Sequence, residues 1–396
     1  MTQERPTLTA AAALIRADRF HEARPLLVER VDDDPDDAGA WFLLGRCHLG
    51  SGQPQAALAA LSECVAIDPQ HPQGLHALAE VHAALGQPVD ALVAAGRLPA
   101  WDADLGRLAR GTLDRLPPPA DMAGLTLPAP ADLPVLAVAA SRAARLAIES
   151  GDWAAAAGGL ALCLAARPGD CAAAADLTAA VIRMIPPDGP CPPDVVRALA
   201  AAAASLHASL PQAESSVGWW ANATALTRFF ADRKTPDAAA AHAAAAARWL
   251  SLDPEADDAR AAVSDTHYAA RRIGQAAATL LGKARAEPDA TDGRTLAGFL
   301  EALAGRLARI AALLPRAAAG DVAALRLAGR EMVAAGLDRE GAGILALAHR
   351  SAPGDAETAD TLADVMSRHR LLAEPAALFC AAAVPALPLL RVGTVT

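Results

Sequence analysis

The stretch AGAWFLLGRCHLGSGQPQAALAALSECVAIDPQH, residues 38–71, holds two helical segments on either side of a glycine-containing turn and closes on a proline. Apolar residues recur at helical spacing in both segments. Prolines that end such segments lie 34 residues apart in two places along the chain, Pro35 to Pro69 and Pro254 to Pro288. Self-similarity at this period is typical of arrays of helix–turn–helix units.

Composition favours helix throughout. Alanine, the strongest helix former, occurs in runs such as residues 200–204 and 243–247. With a single tyrosine and few β-branched runs, sheet is not expected. We therefore predict an all-α protein with a core of Ala and Leu and occasional Trp.

Charge and hydropathy limit the classes of partner. A net charge of −10 argues against nucleic acid, which requires a basic face, and against an anionic membrane surface. No apolar run approaches the ~18 residues of a membrane span, so no membrane insertion is expected. The apolar run at residues 8–15 is followed at once by Arg16 and Asp18, and we interpret it as a first repeat helix of a cytoplasmic protein, not as a secretory signal.

Residues 38–71 resemble the tetratricopeptide repeat. The spacing of large and small residues carries the resemblance: Trp41, Leu44, Gly45, His48, Ala57, Leu61, Cys64 and Pro69. Membership of this family implies a right-handed α-solenoid of antiparallel helix pairs. The same spacing of large and small residues, applied to the whole chain, predicts helix pairs that begin near residues 4, 38, 72, 137, 257 and 322. The small residues that let paired helices touch should be buried, namely Ala23, Ala57, Ala91, Ala156 and Ala276.

The repeats are unevenly distributed. We predict an N-terminal array at residues 1–116, a Pro-rich linker at 117–136, a C-terminal array with irregular insertions at 137–384 and a non-helical tail at 385–396. Residues 186–193, with five prolines, are expected to form a loop, and Pro315 is expected to interrupt a helix.

Signatures of catalysis are weak. The sequence contains no phosphate loop of the P-loop type, no G-x-S-x-G and no H-E-x-x-H. None of its six cysteines forms a C-x-x-C pair, so neither metal nor disulfide is expected. His48, His82 and His267 share one repeat position, which packing explains better than a ligand set. No cofactor is predicted, and the chain is not expected to be an enzyme.

Family resemblance implies a concave groove lined by the first helix of each unit. The residues predicted to face a partner there are Phe42, Arg46, His76, Glu80, Arg142, Arg145, Arg326 and Arg330. Arg recurs at one repeat position in three units of an acidic protein, which suggests a partner segment that is acidic or bears carboxylates. The alternative is that helix positions facing solvent often carry Arg.

Trp219 and Trp220 allow two interpretations. A tryptophan pair can fill the core of an irregular helix pair, or it can anchor a partner from an exposed position, since Trp is enriched among interface hot spots. We include both residues among the candidate partner-binding residues.

The expected function is that of a non-catalytic adaptor or scaffold that binds a peptide or an extended protein segment in the groove. Two alternatives stay open: an accessory subunit that docks and positions a catalytic partner, and an enzyme with a site between helices.

Overall fold

A computed structural model describes residues 4–186, 191–280, 282, 291–352 and 354–369. Within these ranges the chain forms 19 α-helices and no β-strand. It divides into two compact units: residues 1–117 with 124–167, and residues 118–123 with 168–396. The all-α repeat fold predicted from the sequence is confirmed.

The first unit is a sequential stack of nine helices. Each helix packs on the next, and alternate helices α1, α3, α5 and α7 also touch one another. The helices α1 to α9 are Glu4–Arg16, Phe20–Asp33, Ala38–Gly50, Pro54–Ile67, Pro72–Ala84, Pro88–Gly96, Ala103–Leu113, Leu133–Glu149 and Trp153–Ala166.

The second unit departs from this regular stacking. Its 27-residue helix α16 packs not only on the next helix but also on the earlier helices α11 and α13. The helices α10 to α19 are Cys171–Met184, Pro193–Ser209, Val217–Asp232, Ala238–Leu252, Asp257–Ala269, Ile273–Leu280, Asp292–Ala318, Val322–Ala334, Asp338–Ser351 and Ala356–His369. Two short 3₁₀ helices, Pro119–Gly124 and Leu210–Gln212, complete the described structure.

The predicted repeat register agrees with the observed helices. Five of the six first helices begin at the expected residue, and α8 begins at Leu133, four residues before the expected 137. The five alanines expected at the contact of paired helices are all at most 5% exposed. In all six units the fifteenth residue adopts a left-handed conformation, with φ between 56° and 78°: Asp18, Gly52, Gly86, Gly151, Arg271 and Gly336.

Aspartates begin many of these helices. The side chains of Asp37, Asp152 and Asp321 each accept a hydrogen bond from a backbone N–H in the first turn of the helix that follows. Such caps provide an acceptor for backbone N–H groups that have no partner within the helix. The negative charge of the aspartate is also stabilising at the helix N-terminus, which is the positive end of the helix dipole. The acidic run at residues 32–37 therefore ends in a helix cap, and Asp37 also bonds to Arg30 at 2.8 Å.

One proline-based prediction needs correction. Pro315 does not interrupt its helix: α16 continues past it to Ala318. The proline removes one backbone N–H, but it does so in the last turn of the helix. Residues 117–136 are partly structured: they include a 3₁₀ helix with a buried Met122, and Pro134 lies in the first turn of α8. The stretch 118–123 within this segment groups with the second compact unit, and the rest of the second unit begins after residue 167. The predicted linker stays a prediction. The predicted tail at 385–396 lies outside the described residues.

Candidate functional site

A groove of about 810 Å³ runs along the first unit. Residues of α1, α3, α5 and α7 line it, which are the helices that lie next to each other on one side of the stack. Four residues predicted to face a partner lie around this groove: Phe42, Arg46, His76 and Glu80.

Polar groups in the groove are arranged as a connected set. Arg46 Nη1 lies 2.8 Å from Glu80 Oε2, across one full repeat. His76 Nδ1 lies 3.4 Å from Glu80 Oε1, and its Nε2 lies 3.8 Å from Asp102 Oδ1. All of these side chains remain partly exposed, so the set offers donors and acceptors to a ligand while its charges are largely balanced.

An apolar wall accompanies these polar groups. The ring of Phe42 packs near that of His71, with centroids 5.3 Å apart and planes inclined at 37°. Ile15, Leu98 and Leu105 also line the groove. The groove therefore combines apolar contact area with a small number of oriented polar groups, as binding sites generally do.

A second pocket, of about 540 Å³, lies between α7 and α8 and shares Asp102 with the groove. Four arginines line it, together with the apolar side chains of Trp101, Ala103 and Leu146. The arginines are Arg107, Arg110, Arg142 and Arg145. We call this site the arginine pocket.

Two sequence models of the tetratricopeptide repeat match the chain, over residues 8–72 and 48–112. Residues 8–112 of the chain contain tetratricopeptide repeats. Repeats of this family mediate protein–protein interactions and are typical of non-catalytic adaptors. The matched residues carry α1 to α6 and most of α7, which contain the groove.

Several solved structures resemble the chain at low identity. The P58(IPK) TPR domain shows 12% identity over 92% of this chain and 98% of that chain, with a TM-score of 0.27. The TPR2AB domain of yeast Sti1, solved as a complex with pHSP90, shows 12% identity over 71% of this chain and 99% of that chain, with a TM-score of 0.26. The APC/C hetero-tetramer Cut9–Hcn1 shows 15% identity and a TM-score of 0.30; the match covers 72% of this chain and only 47% of that chain.

No curated protein sequence matches the chain. Because all three structural matches score below 0.5, the fold assignment depends on the two repeat models and on the helix register.

Arg326 and Arg330 form ion pairs within the second unit. Arg326 Nε lies 3.1 Å from Asp355 Oδ2, and Arg330 Nη1 lies 2.6 Å from Glu357 Oε1. Both carboxylates belong to the segment that begins α19, two helices further along the chain. These pairs place a carboxylate of the same chain beside each arginine, and the expectation that the two arginines contact a partner stays a prediction.

Trp219 and Trp220 are core residues. Trp219 is fully buried and Trp220 is 4% exposed, with ring centroids 4.9 Å apart in an edge-to-face arrangement. Each indole N–H donates a hydrogen bond inside the unit, Trp219 to Ser209 Oγ at 2.8 Å and Trp220 to the Ala213 carbonyl at 3.0 Å. Neither ring is available as an anchor for a partner, and the core alternative is correct.

Two of the three recurring histidines contact a glutamine at the end of the turn that follows their helix. Nδ1 of His48 lies 2.9 Å from Gln53 Oε1, and Nδ1 of His82 lies 2.7 Å from Gln87 Oε1. The described residues contain no cluster of three potential metal ligands. Within the same ranges, no helix is both long enough and apolar enough to cross a bilayer.

Trp101, Arg107 and Arg110 were missed by the sequence analysis. The repeat that begins at residue 72 has no proline at its expected end, so the repeat spacing predicted no helix over residues 103–113. Arg107 and Arg110 are three residues apart in α7, a spacing that places them on one helix face and that would have been the available signal.

Proposed function

We propose that this protein is a non-catalytic adaptor that binds an extended segment of a partner protein along the groove formed by α1, α3, α5 and α7. The observation that carries the proposal is the groove itself, which the first helices of three successive repeats line continuously. An extended chain suits such a surface because the repeats offer contacts at a regular spacing.

Each group in the groove has a distinct role in this proposal. Phe42 provides apolar contact for a side chain of the bound segment. Arg46, His76 and Glu80 offer donors and acceptors to its main chain, and they are already held in place by their mutual contacts. Arg142 and Arg145, in the adjoining pocket, supply the positive charge for acidic residues.

Site-specific photo-crosslinking tests the proposal. A photoreactive amino acid is placed at Phe42 or His76 in the groove and, as a control, at Val28, which is 41% exposed on α2 and does not line the groove. We expect one partner protein to be captured from both groove positions and not from position 28. Isothermal titration with the purified partner should then show weaker binding for Phe42→Ala and unchanged binding for Val28→Ala.

Equal capture from all three positions, or binding unaffected by Phe42→Ala, would overturn the groove as the site. If the captured partner is an enzyme whose activity depends on the complex, the chain acts as its accessory subunit.

A further inference from the structure

We propose that the connection between α12 and α13, residues 233–237, is a latch that closes on the turn between α17 and α18 and can open without unfolding of the second unit. The connection has the sequence RKTPD. It contacts the turn at residues 335–340, which lies 100 positions further along the chain. Both segments belong to the second compact unit, so this inference does not depend on the groove.

Thr235 carries the contact between the latch and the turn. Its hydroxyl donates a hydrogen bond to the Ala335 carbonyl at 2.9 Å, and the residue is only 8% exposed. The residues on either side, Lys234 and Pro236, are exposed. A buried hydroxyl that loses its acceptor costs free energy, so this hydrogen bond favours the closed latch.

Gly336 provides the space for Thr235. A Cβ at position 336 would overlap the Thr235 hydroxyl and would lie 3.1 Å from the Arg233 carbonyl oxygen. At Gly52 and Gly86, which occupy the same turn position in other repeats, an added Cβ would meet no atom within 4 Å. The turn at residues 335–340 therefore receives a second segment of the chain, whereas these other repeat turns do not.

The same turn also bonds to the segment that precedes α11. Glu340, 9% exposed, accepts a hydrogen bond from the Cys191 N–H at 2.7 Å. Arg233, the first residue of the latch, stacks on the Phe229 ring with Cζ 3.7 Å from the ring centroid. Three segments that are distant in sequence thus meet at residues 335–340, and the latch is the one that lies between two helices of its own.

Backbone strain gives the latch a second state. Lys234 and Asp237 are left-handed, with φ of 57° and 64°, and no other helix connection among the described residues contains two left-handed non-glycine residues. Each side chain crowds the backbone in this conformation. Strained residues persist where surrounding contacts hold them, and they recur in switch regions. The Thr235 contact therefore holds the latch closed against this strain, and opening relieves it.

Opening would change the surface of the second unit. Ala335 and Leu337 are fully buried in the closed state, and Asp338 is 8% exposed. Release of Thr235 would uncover apolar and carboxylate groups at this turn. Because the closed state leaves no space beyond the Thr235 hydroxyl, a ligand or chemical group attached there is compatible only with the open state and would shift the population toward it.

Limited proteolysis with endoproteinase Lys-C measures opening at the latch itself. The chain has two lysines, Lys234 and Lys283, and cleavage at each gives fragments of different mass. Proteolysis of a transiently open segment follows the population of its open form. We expect slow cleavage at Lys234 in the unsubstituted protein, about five- to tenfold faster cleavage in Thr235→Val and at least about tenfold faster cleavage in Gly336→Ala.

Each of these variants has a matched control. Gly52→Ala makes the same substitution in the same left-handed turn conformation, where the added methyl group meets no neighbour. Thr224→Val removes a buried hydroxyl on α12 that bonds within its own helix, to the Trp220 carbonyl. Both controls should leave cleavage at Lys234 unchanged. Equal acceleration by Gly336→Ala and Gly52→Ala would overturn the latch.

Urea separates local opening from global unfolding. Local opening exposes little surface, so cleavage at Lys234 should depend only weakly on urea at low concentration, whereas cleavage through global unfolding rises steeply. Hydrogen exchange in Thr235→Val should accelerate at residues 335–340 and stay unchanged in α10. A steep urea dependence in the unsubstituted protein, or a rate of cleavage already equal to that of Thr235→Val, would show that the connection does not act as a latch.

Discussion

Gly45 lies directly beneath Leu61, so that a Cβ at position 45 would be 2.5 Å from Leu61 Cγ. Gly329 has the same relationship to Leu345, with a distance of 2.6 Å. In both units the glycine is in the first helix and the leucine is in the second, at equivalent repeat positions. The contact is therefore a property of the repeat and sets how closely its two helices approach.

Gly45→Ala should destabilise the protein by about 1–3 kcal/mol, because Leu61 is fully buried and cannot move aside without cost. Gly111→Ala is the matched control, since Gly111 is an exposed helical glycine with no atom near the added methyl group. That substitution should stabilise by about 0.5–1 kcal/mol through helix propensity. Urea denaturation of the two variants measures both effects, and equal shifts would contradict the close contact.

Arg271 occupies the left-handed turn position where four other repeats place glycine. A non-glycine residue in this conformation costs about 1–2 kcal/mol. Arg271→Gly should therefore raise the free energy of unfolding by about 1 kcal/mol, partly offset by the greater entropy of the unfolded chain. Gly52→Ala should lower it by a similar amount. Thermal denaturation distinguishes these outcomes, and a destabilised Arg271→Gly would indicate that the arginine side chain makes a compensating contact.

His242 should make stability depend on pH. Burial lowers the pKa of His242 below 6.5. The nearby charge of Arg228 also lowers this pKa, whereas a hydrogen bond with the Thr224 carbonyl raises it. As the pH falls through the unfolded-state value near 6.5, the unfolded chain binds a proton that the native chain does not. The free energy of unfolding should thus decrease between about pH 7.5 and pH 5.5.

Urea midpoints across this range test the sign, and His242→Gln should flatten part of the slope. His267, whose pKa is also lowered by burial, contributes in the same direction. A slope unchanged in His242→Gln would show that this histidine does not control the pH response.

Buried thiols should resist alkylation in the native state. Burial raises the pKa of Cys64 to about 11 and that of Cys191 to about 12, so at about pH 8 very little thiolate is present at either site. Mass spectrometry after iodoacetamide treatment should find both residues unmodified in native buffer and fully modified in denaturant. Rapid native labelling of Cys64 would show that the second repeat opens locally.

The Arg46–Glu80 pair should matter little for stability. Their side chains are 42% and 33% exposed, and exposed pairs contribute about 0.2–1 kcal/mol. A double-mutant cycle with Arg46→Ala and Glu80→Ala should give a coupling energy in that range, which decreases as salt is added. A larger coupling that persists at high salt would mean that the pair supports the stack and does not serve mainly to shape the groove.

Local patterns determined much of the architecture. The spacing of Gly45, Ala57 and Pro69 within one repeat predicted where the helices begin and which alanines are buried. These features involve residues within about 34 positions of each other. Because each repeat packs mainly on its neighbours, a short-range pattern was sufficient to predict the stacking of α1 to α6.

Pairing outside the repeat spacing was decided by tertiary structure alone. Burial of Trp219 depends on its hydrogen bond to Ser209 and on the packing of the irregular second unit, neither of which follows a repeat spacing. The repeat spacing likewise does not predict which charged side chains form ion pairs. Arg330 and Arg145 share a repeat position, yet Arg330 meets Glu357 whereas Arg145 lies in a pocket with three other arginines. Periodicity specifies which face of a helix carries a charge, but the neighbouring helix determines whether that charge is neutralised or offered to a partner.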